Sequence, residues 1–213
     1  LGGAKRLTNI TGVLVPIMGV IYILVAIIVI LINIKHVPGV FANIFAGAFD
    51  FKAIFGGFAG SAMMQGIKRG LYSNEAGMGS APNAAASADV SHPVKQGLIQ
   101  MLGVFTDTLV ICSCTAFIIL VSGLPLDGSL DGVMLTQEAL SVEIGHAGRV
   151  FVAVAIFFFA FSSIIGNYYY GEANVQYLSK KPWVLAVYRV IVAAMVLFGS
   201  VASLSTVWNL ADL

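Results

Sequence analysis

Two adjacent serines and an asparagine stand out in an apolar part of the sequence. Ser162 and Ser163 lie within the run FFFAFSSIIGNYYYGE, and Asn167 follows Ser163 by four residues. In a helix this spacing places Ser163 and Asn167 on the same face. Hydroxyl oxygens suit a hard cation such as Na⁺, although serines in helices also bond back to the preceding turn or pack against a neighbour. Because an amide in an apolar setting needs a partner, the group favours a cation site at Ser162 and Ser163.

Three glycines interrupt a second apolar segment, residues 40–71. Gly56, Gly57 and Gly60 fall near its middle, and each disfavours a helix by up to about 1 kcal/mol relative to alanine. The pattern predicts a break in the helix there, while close packing of small residues is the alternative. Opened backbone offers N–H groups to a carboxylate and carbonyl oxygens to a cation, and Ser61 adds a hydroxyl.

A single acid, Asp107, lies inside the apolar residues 97–121. An acid within such a segment commonly marks an ion or proton pathway. A structural hydrogen bond to Thr106 or Thr108, or an ion pair with Arg189, explains it equally well, so both readings stay open.

The sequence gives little support for an enzyme active site, a metal site or a nucleic-acid-binding surface. Cys112 and Cys114 are two residues apart and point to different sides of a helix, so neither a disulfide nor a metal pair is favoured. His36, His92 and His146 fall in loops, without a nucleophile or acid partner. The net charge of +1 indicates no nucleic-acid partner. We therefore expect that the protein is not an enzyme and needs no cofactor.

The composition indicates a membrane protein. Residues are 59% hydrophobic and 10% charged, against about 25% charged in soluble domains. About 20 apolar residues span a bilayer, which predicts an all-α membrane protein with about five transmembrane helices. Their approximate ranges are 11–33, 50–71 (broken near 56–60), 97–121, 150–170 and 183–204.

The basic residues predict the orientation of these spans, because cytoplasmic loops are enriched in lysine and arginine. One side carries Lys5, Arg6, Lys68, Arg69, Lys95, Lys180 and Lys181, and the other carries Lys35 and Lys52. This places the N-terminal end in the cytoplasm of a multi-pass cell-membrane protein. It also predicts a cytoplasmic loop at 72–96, read as a gate or hinge, and an extracytoplasmic loop at 122–148 with a short helix. Since the sequence opens at Leu1 without a signal-peptide pattern, we expect it to be part of a longer protein.

The run RGLYSNEAGMGSAPNAAASADVSHPVKQG, followed by MLGVFTDTLVICS, resembles the signature of the alanine or glycine:cation symporter family. The resemblance extends over essentially the whole chain. It implies a fragment of a five-plus-five inverted-repeat transporter of the amino acid–polyamine–cation superfamily type, with one broken helix. It further implies a substrate cradle and a sodium site. The cradle comprises Gly56, Gly57, Phe58, Gly60 and Ser61, Na⁺ binds at Ser162 and Ser163, and Ser163 and Asn167 face the substrate.

The resemblance has one departure, at Asn167. A bulky tryptophan often occupies this position in the family, where it closes the pocket on a small side chain. Asparagine leaves more room, which makes a larger neutral amino acid a possible substrate. The expected function is Na⁺-coupled symport of a small neutral amino acid of the alanine or glycine class, by alternating access in a lipid bilayer. The alternatives are a proton-coupled carrier, with the proton on Asp107, or a channel-like pore.

Overall fold

The computed structural model describes residues 4–48, 58–75, 79–86 and 88–211. Within these ranges the chain contains helices and no strand, so the predicted all-α fold is confirmed. The chain divides into two compact units, residues 1–162 and 163–213, which are described separately.

The first helices alternate between long and short. The element α1 covers Ala4–Ile32, α2 Val37–Ala48, α3 Phe58–Ser73 and α4 Ser80–Ala86. Pro16 lies inside α1, as is tolerated in membrane helices. At 16 residues, α3 is about 24 Å long and is by itself shorter than the bilayer core of about 30 Å.

The next helix is long and changes its winding in the middle. It begins as α5 (Pro93–Phe105), passes through a π-helical section (Thr106–Ile111) and ends as α6 (Cys112–Val121). Its start is encoded locally, because Pro93 suits the first turn and the Nδ1 of His92 accepts a hydrogen bond from the Val94 N–H at 3.2 Å.

The remaining helices are α7 (Gly132–Ile144), α8 (His146–Leu178), α9 (Pro182–Val201) and α10 (Leu204–Ala211). The helix α7 lies in the predicted extracytoplasmic loop 122–148. The chain divides between its two units at Ser162 and Ser163, inside α8.

Four helices are long and apolar enough to cross a membrane, among the residues that the structure describes: Thr11–Ile32, Pro93–Val121, His146–Leu178 and Pro182–Val201. They include most or all of four predicted spans. The fifth, 50–71, is described only from Phe58, as α3.

The core of the first unit forms between α1, α6, α7 and the beginning of α8. The buried side chains of α1 recur every three or four residues, as one helix face requires. The set comprises Tyr22, Ala26, Val29, Cys114, Ile118, Ala139, Leu140 and Val152. By contrast, no residue of α9 is buried within the part of the chain that the structure describes.

Candidate functional site

The helix α3 ends at Ser73, two residues beyond the second predicted span, and α4 begins at Ser80; we call this end of the helical path the interruption. Beyond Ser73, the Asn74 N–H donates to the Gly70 carbonyl at 3.4 Å. Glu75 then adopts a left-handed conformation with φ of 56°, and Gly79 has φ of 82° just before α4 begins. Left-handed residues end a helix, and a non-glycine residue there is strained and often lies at a functional site. The interruption is therefore bounded by residues that cannot continue the helix.

The π-helical section lies opposite the end of α3. Its widened turn is marked by the Cys112 N–H, which donates to the carbonyl of Asp107, five residues earlier. Single π-helical turns are uncommon and occur frequently at functional sites.

Hydrogen bonds join the end of α3 to this section. The Ser73 hydroxyl donates to Oδ2 of Asp107 at 2.7 Å, and the Asn74 amide donates to the Thr108 hydroxyl at 3.0 Å. The Ser73 Oγ also lies 3.2 Å from the Cys112 Sγ. We call these five residues the Ser73–Asp107 cluster.

The cluster lies beside the midpoint of the helix Pro93–Val121, one of the four helices that are long and apolar enough to cross a membrane. Asp107 is 14 residues after Pro93 and 14 before Val121, the two ends of that span, or about 21 Å from each. The interruption that follows Ser73 therefore begins beside the midpoint of this helix, and the cytoplasmic loop at 72–96 stays a prediction. The π-helical section supplies hydrogen-bond partners for the polar side chains of Ser73 and Asn74.

Asp107 has a partner that the sequence analysis did not consider. Its carboxylate accepts from Ser73 and makes no described hydrogen bond to Thr106 or Thr108. Arg189, the other proposed partner, donates instead to Glu172 at 3.2 Å within the second unit.

The predicted cradle falls at the edge of the described structure. Gly56 and Gly57 lie outside the described residues. Phe58, Gly60 and Ser61 lie in α3, whose backbone is helical from Phe58 onward. Gly60 is therefore helical rather than open, and an opening at 56–57 remains a prediction.

The serines and the asparagine of α8 bond to their own helix. The Ser162 hydroxyl donates to the Phe159 carbonyl at 2.9 Å, and the Asn167 amide donates to the Ser163 carbonyl at 3.0 Å. Ser163 and Asn167 share a face, as their spacing predicts, and both are exposed. For Ser162 the geometry is the bond to the preceding turn that the sequence analysis kept as the alternative to a cation site.

Sequence reasoning missed Ser73, Asn74 and Cys112 as site residues. Ser73 and Asn74 stand inside the signature run and were interpreted as part of a loop. Cys112 was considered only for a disulfide or a metal pair, yet its Sγ lies 3.2 Å from the Ser73 Oγ. The one available signal was Asp107, an acid that needs a donor inside an apolar span.

Known proteins resemble this chain over its full length. It is 52% identical to the amino-acid carrier protein AlsT of Bacillus subtilis, over 100% of this chain and 45% of that protein. It is 53% identical to the probable sodium/glutamine symporter GlnT of the same organism, over 100% of this chain and 44% of the relative. It is 40% identical to the sodium/alanine symporter AgcS of Methanococcus maripaludis, over 100% of this chain and 47% of that protein.

The chain thus spans about half the length of the curated relatives it matches. The sequence profile of one family, described as the sodium:alanine symporter family, matches residues 1–213. This chain belongs to the sodium:alanine symporter family.

Proposed function

We propose that this chain serves in Na⁺-coupled symport of a neutral amino acid by alternating access, in a multi-pass membrane protein whose N-terminal end is cytoplasmic. The family and the names of the relatives are those of transporters and not of enzymes, in line with the sequence analysis.

The observation that carries the proposal is the interruption beside Asp107. Irregular backbone at membrane depth is tolerated where it is buried in protein or lines a water-filled cavity. In secondary transporters such interrupted helices carry the substrate and ion sites near the bilayer midplane. An interruption that begins next to the centre of the Pro93–Val121 span has the position that this mechanism needs.

The coupling ion is proposed to be Na⁺, bound at Ser162 and Ser163. Two adjacent hydroxyls in an apolar helix provide the oxygen ligands of a hard cation. The Ser163 side chain is exposed, while Ser162 would have to exchange its bond to the Phe159 carbonyl for the ion.

The substrate is proposed to be a neutral amino acid, with glutamine included beside alanine and glycine. Asn167 lies one helical turn from Ser163 and offers an amide to a polar side chain. The relative whose name includes glutamine is 53% identical to this chain, and the one whose name includes alanine is 40% identical.

Uptake by the complete protein in proteoliposomes tests the proposal. Radiolabelled alanine and glutamine should accumulate under an inward Na⁺ gradient and not under a pH gradient alone. Accumulation without Na⁺ would reject the coupling and point to protons. Stepwise single-channel currents would reject a carrier.

A further inference from the structure

Ser73, the last residue of α3, and Asn74, which follows it, form hydrogen bonds with two residues of the π-helical section. Ser73 donates to Asp107 at 2.7 Å, and Asn74 donates to Thr108 at 3.0 Å. A single bond would leave α3 able to pivot about it. Two bonds from neighbouring residues restrict both its position and its rotation.

The π-helical winding makes this arrangement possible. In an α-helix five residues advance by about 500°, which leaves Asp107 and Cys112 about 140° apart around the axis. In the π-helical turn the Cys112 N–H bonds the Asp107 carbonyl, and the Cys112 Sγ lies 4.0 Å from the Asp107 Oδ2. Both side chains therefore reach Ser73, which a regular α-helix would not allow.

The π-helical section is also the principal neighbour of α3 within the part of the chain that the structure describes. The core of the first unit is formed by α1, α6, α7 and α8, without a described residue of α3. Among the described residues, the Ser73–Asp107 cluster is therefore the main contact that positions the end of α3.

We propose that the Ser73–Asp107 cluster is a permanent clamp, which holds the interruption to the Pro93–Val121 span in every state of the transport cycle. Asp107 is then a positioning residue that accepts the Ser73 hydrogen bond, and it carries neither the coupling ion nor a proton. The uptake experiments below rest on the proposed function, whereas the cross-linking experiment does not.

The native Cys112 allows a direct test through Ser73→Cys. The 3.2 Å between Ser73 Oγ and Cys112 Sγ leaves only a small movement to the 2.05 Å of a disulfide. Copper–phenanthroline in air should join the two cysteines, as detected by mass spectrometry of the linked peptides. We expect the same yield without ligands, with Na⁺ alone, and with Na⁺ and alanine. A link that forms in only one of these conditions, or in none, would overturn the clamp.

Transport by the oxidised protein separates a clamp from a gate. If the contact is permanent, oxidised Ser73→Cys should transport within about twofold of the same protein after reduction. Loss of transport on oxidation, with recovery by reductant, would show that the contact must open. The matched control is Ser73→Cys with Cys112→Ala, which should give no linked peptide between these positions and no response to oxidant.

Substitution of Asp107 separates positioning from proton transfer. Asp107→Asn keeps an oxygen acceptor for Ser73 and should retain uptake within about threefold, with an unchanged pH profile. Asp107→Ala should reduce uptake by about tenfold or more. If Asp107→Asn abolished uptake or changed its pH profile, the positioning role would be wrong.

The two proposals can fail separately. A disulfide that forms in all conditions, in a protein without Na⁺-driven uptake, would keep the clamp and reject the transport function. Na⁺-driven uptake in a protein whose cysteines never join would do the reverse. If Asp107→Ala does not fold, the cross-link in Ser73→Cys still tests whether the clamp is permanent.

Discussion

The hydroxyl groups of Tyr22 and Thr115 lie 2.7 Å apart and connect α1 to α6 across 93 residues of sequence. The Tyr22 ring stacks on Phe151 and meets Phe159 edge to face, with centroids 6.4 and 6.1 Å away. One side chain therefore joins three helices of the first unit. Because its hydroxyl and its ring make different contacts, the two contributions can be separated by mutation.

Tyr22→Phe should lower the free energy of unfolding by about 0.5–1.5 kcal/mol, since it deletes one hydrogen bond and keeps the ring. The loss should lie at the lower end of this range, because the Thr115 hydroxyl keeps a partner in the variant: it also donates to the Ile111 carbonyl at 3.2 Å. Thermal unfolding in detergent measures the change. Tyr169→Phe is the control, since its hydroxyl has no hydrogen bond to any described residue. Equal effects at both positions would contradict the prediction.

Gly148→Ala should destabilise the contact between α8 and α7. A Cβ at this buried position would clash with the Leu140 carbonyl oxygen, which is backbone and cannot rotate away. Overpacking of this kind costs about 1–3 kcal/mol, and a lowered melting temperature should report it. Gly97→Ala, with open space around it, should be neutral or slightly stabilising. An unchanged melting temperature for Gly148→Ala would show that the two helices are not so closely packed.

Ser163→Ala should raise the Na⁺ concentration for half-maximal uptake by about tenfold, because one proposed oxygen ligand is lost. Ser200→Ala is the control, since its hydroxyl donates to a carbonyl of its own helix at 2.7 Å, in the manner of Ser162. Half-saturation is read from initial uptake rates in proteoliposomes. An unaltered Na⁺ dependence in Ser163→Ala would remove this residue from the ion site.

Arg189→Lys should lower the melting temperature of the second unit, because hydrogen bonds of the guanidinium are lost. The guanidinium donates to Tyr168 Oη at 3.0 Å through Nε and to Glu172 at 3.2 Å through Nη2. A lysine ammonium lacks this fork and cannot reproduce both directions. Thermal unfolding measures the loss, with Lys180→Gln as the charge control in the loop before α9. A lysine variant as stable as the parent would mean that only the charge matters.

Cysteine labelling in intact cells tests the proposed orientation. Leu126→Cys lies in the loop between α6 and α7, where Leu126 is 62% exposed, and a membrane-impermeant maleimide should label it from outside. Val90→Cys, between α4 and α5, should react only after the membrane is permeabilised. The parent protein controls for Cys112 and Cys114. Labelling of Val90→Cys in sealed cells would invert the topology.

The membrane-spanning helices could be predicted because their cause is local. Hydrocarbon excludes charge and requires about 20 apolar residues, so a count along the chain is enough to find spans such as Thr11–Ile32 and Pro182–Val201. The spacing of Ser163 and Asn167 on one helix face is equally local and agrees with the structure. The family likeness also depends on consecutive residues, and the profile match over residues 1–213 confirms it.

The partner of Asp107 could not be predicted in this way. Ser73 is 34 residues distant in sequence, and the polar run after it is typical of a loop in water. The contacts of the π-helical section could not be predicted either, because they are made to Ser73 and Asn74, each 34 residues from its partner.

Composition and residue spacing thus predicted a helical membrane protein, and the resemblance of its signature run indicated the transporter family, because each of these properties follows from stretches of neighbouring residues. Only the tertiary structure decided that α3 ends beside the midpoint of the Pro93–Val121 helix and that Asp107 accepts a hydrogen bond from Ser73 there. The reason is that hydrogen bonds between distant segments depend on how the helices pack.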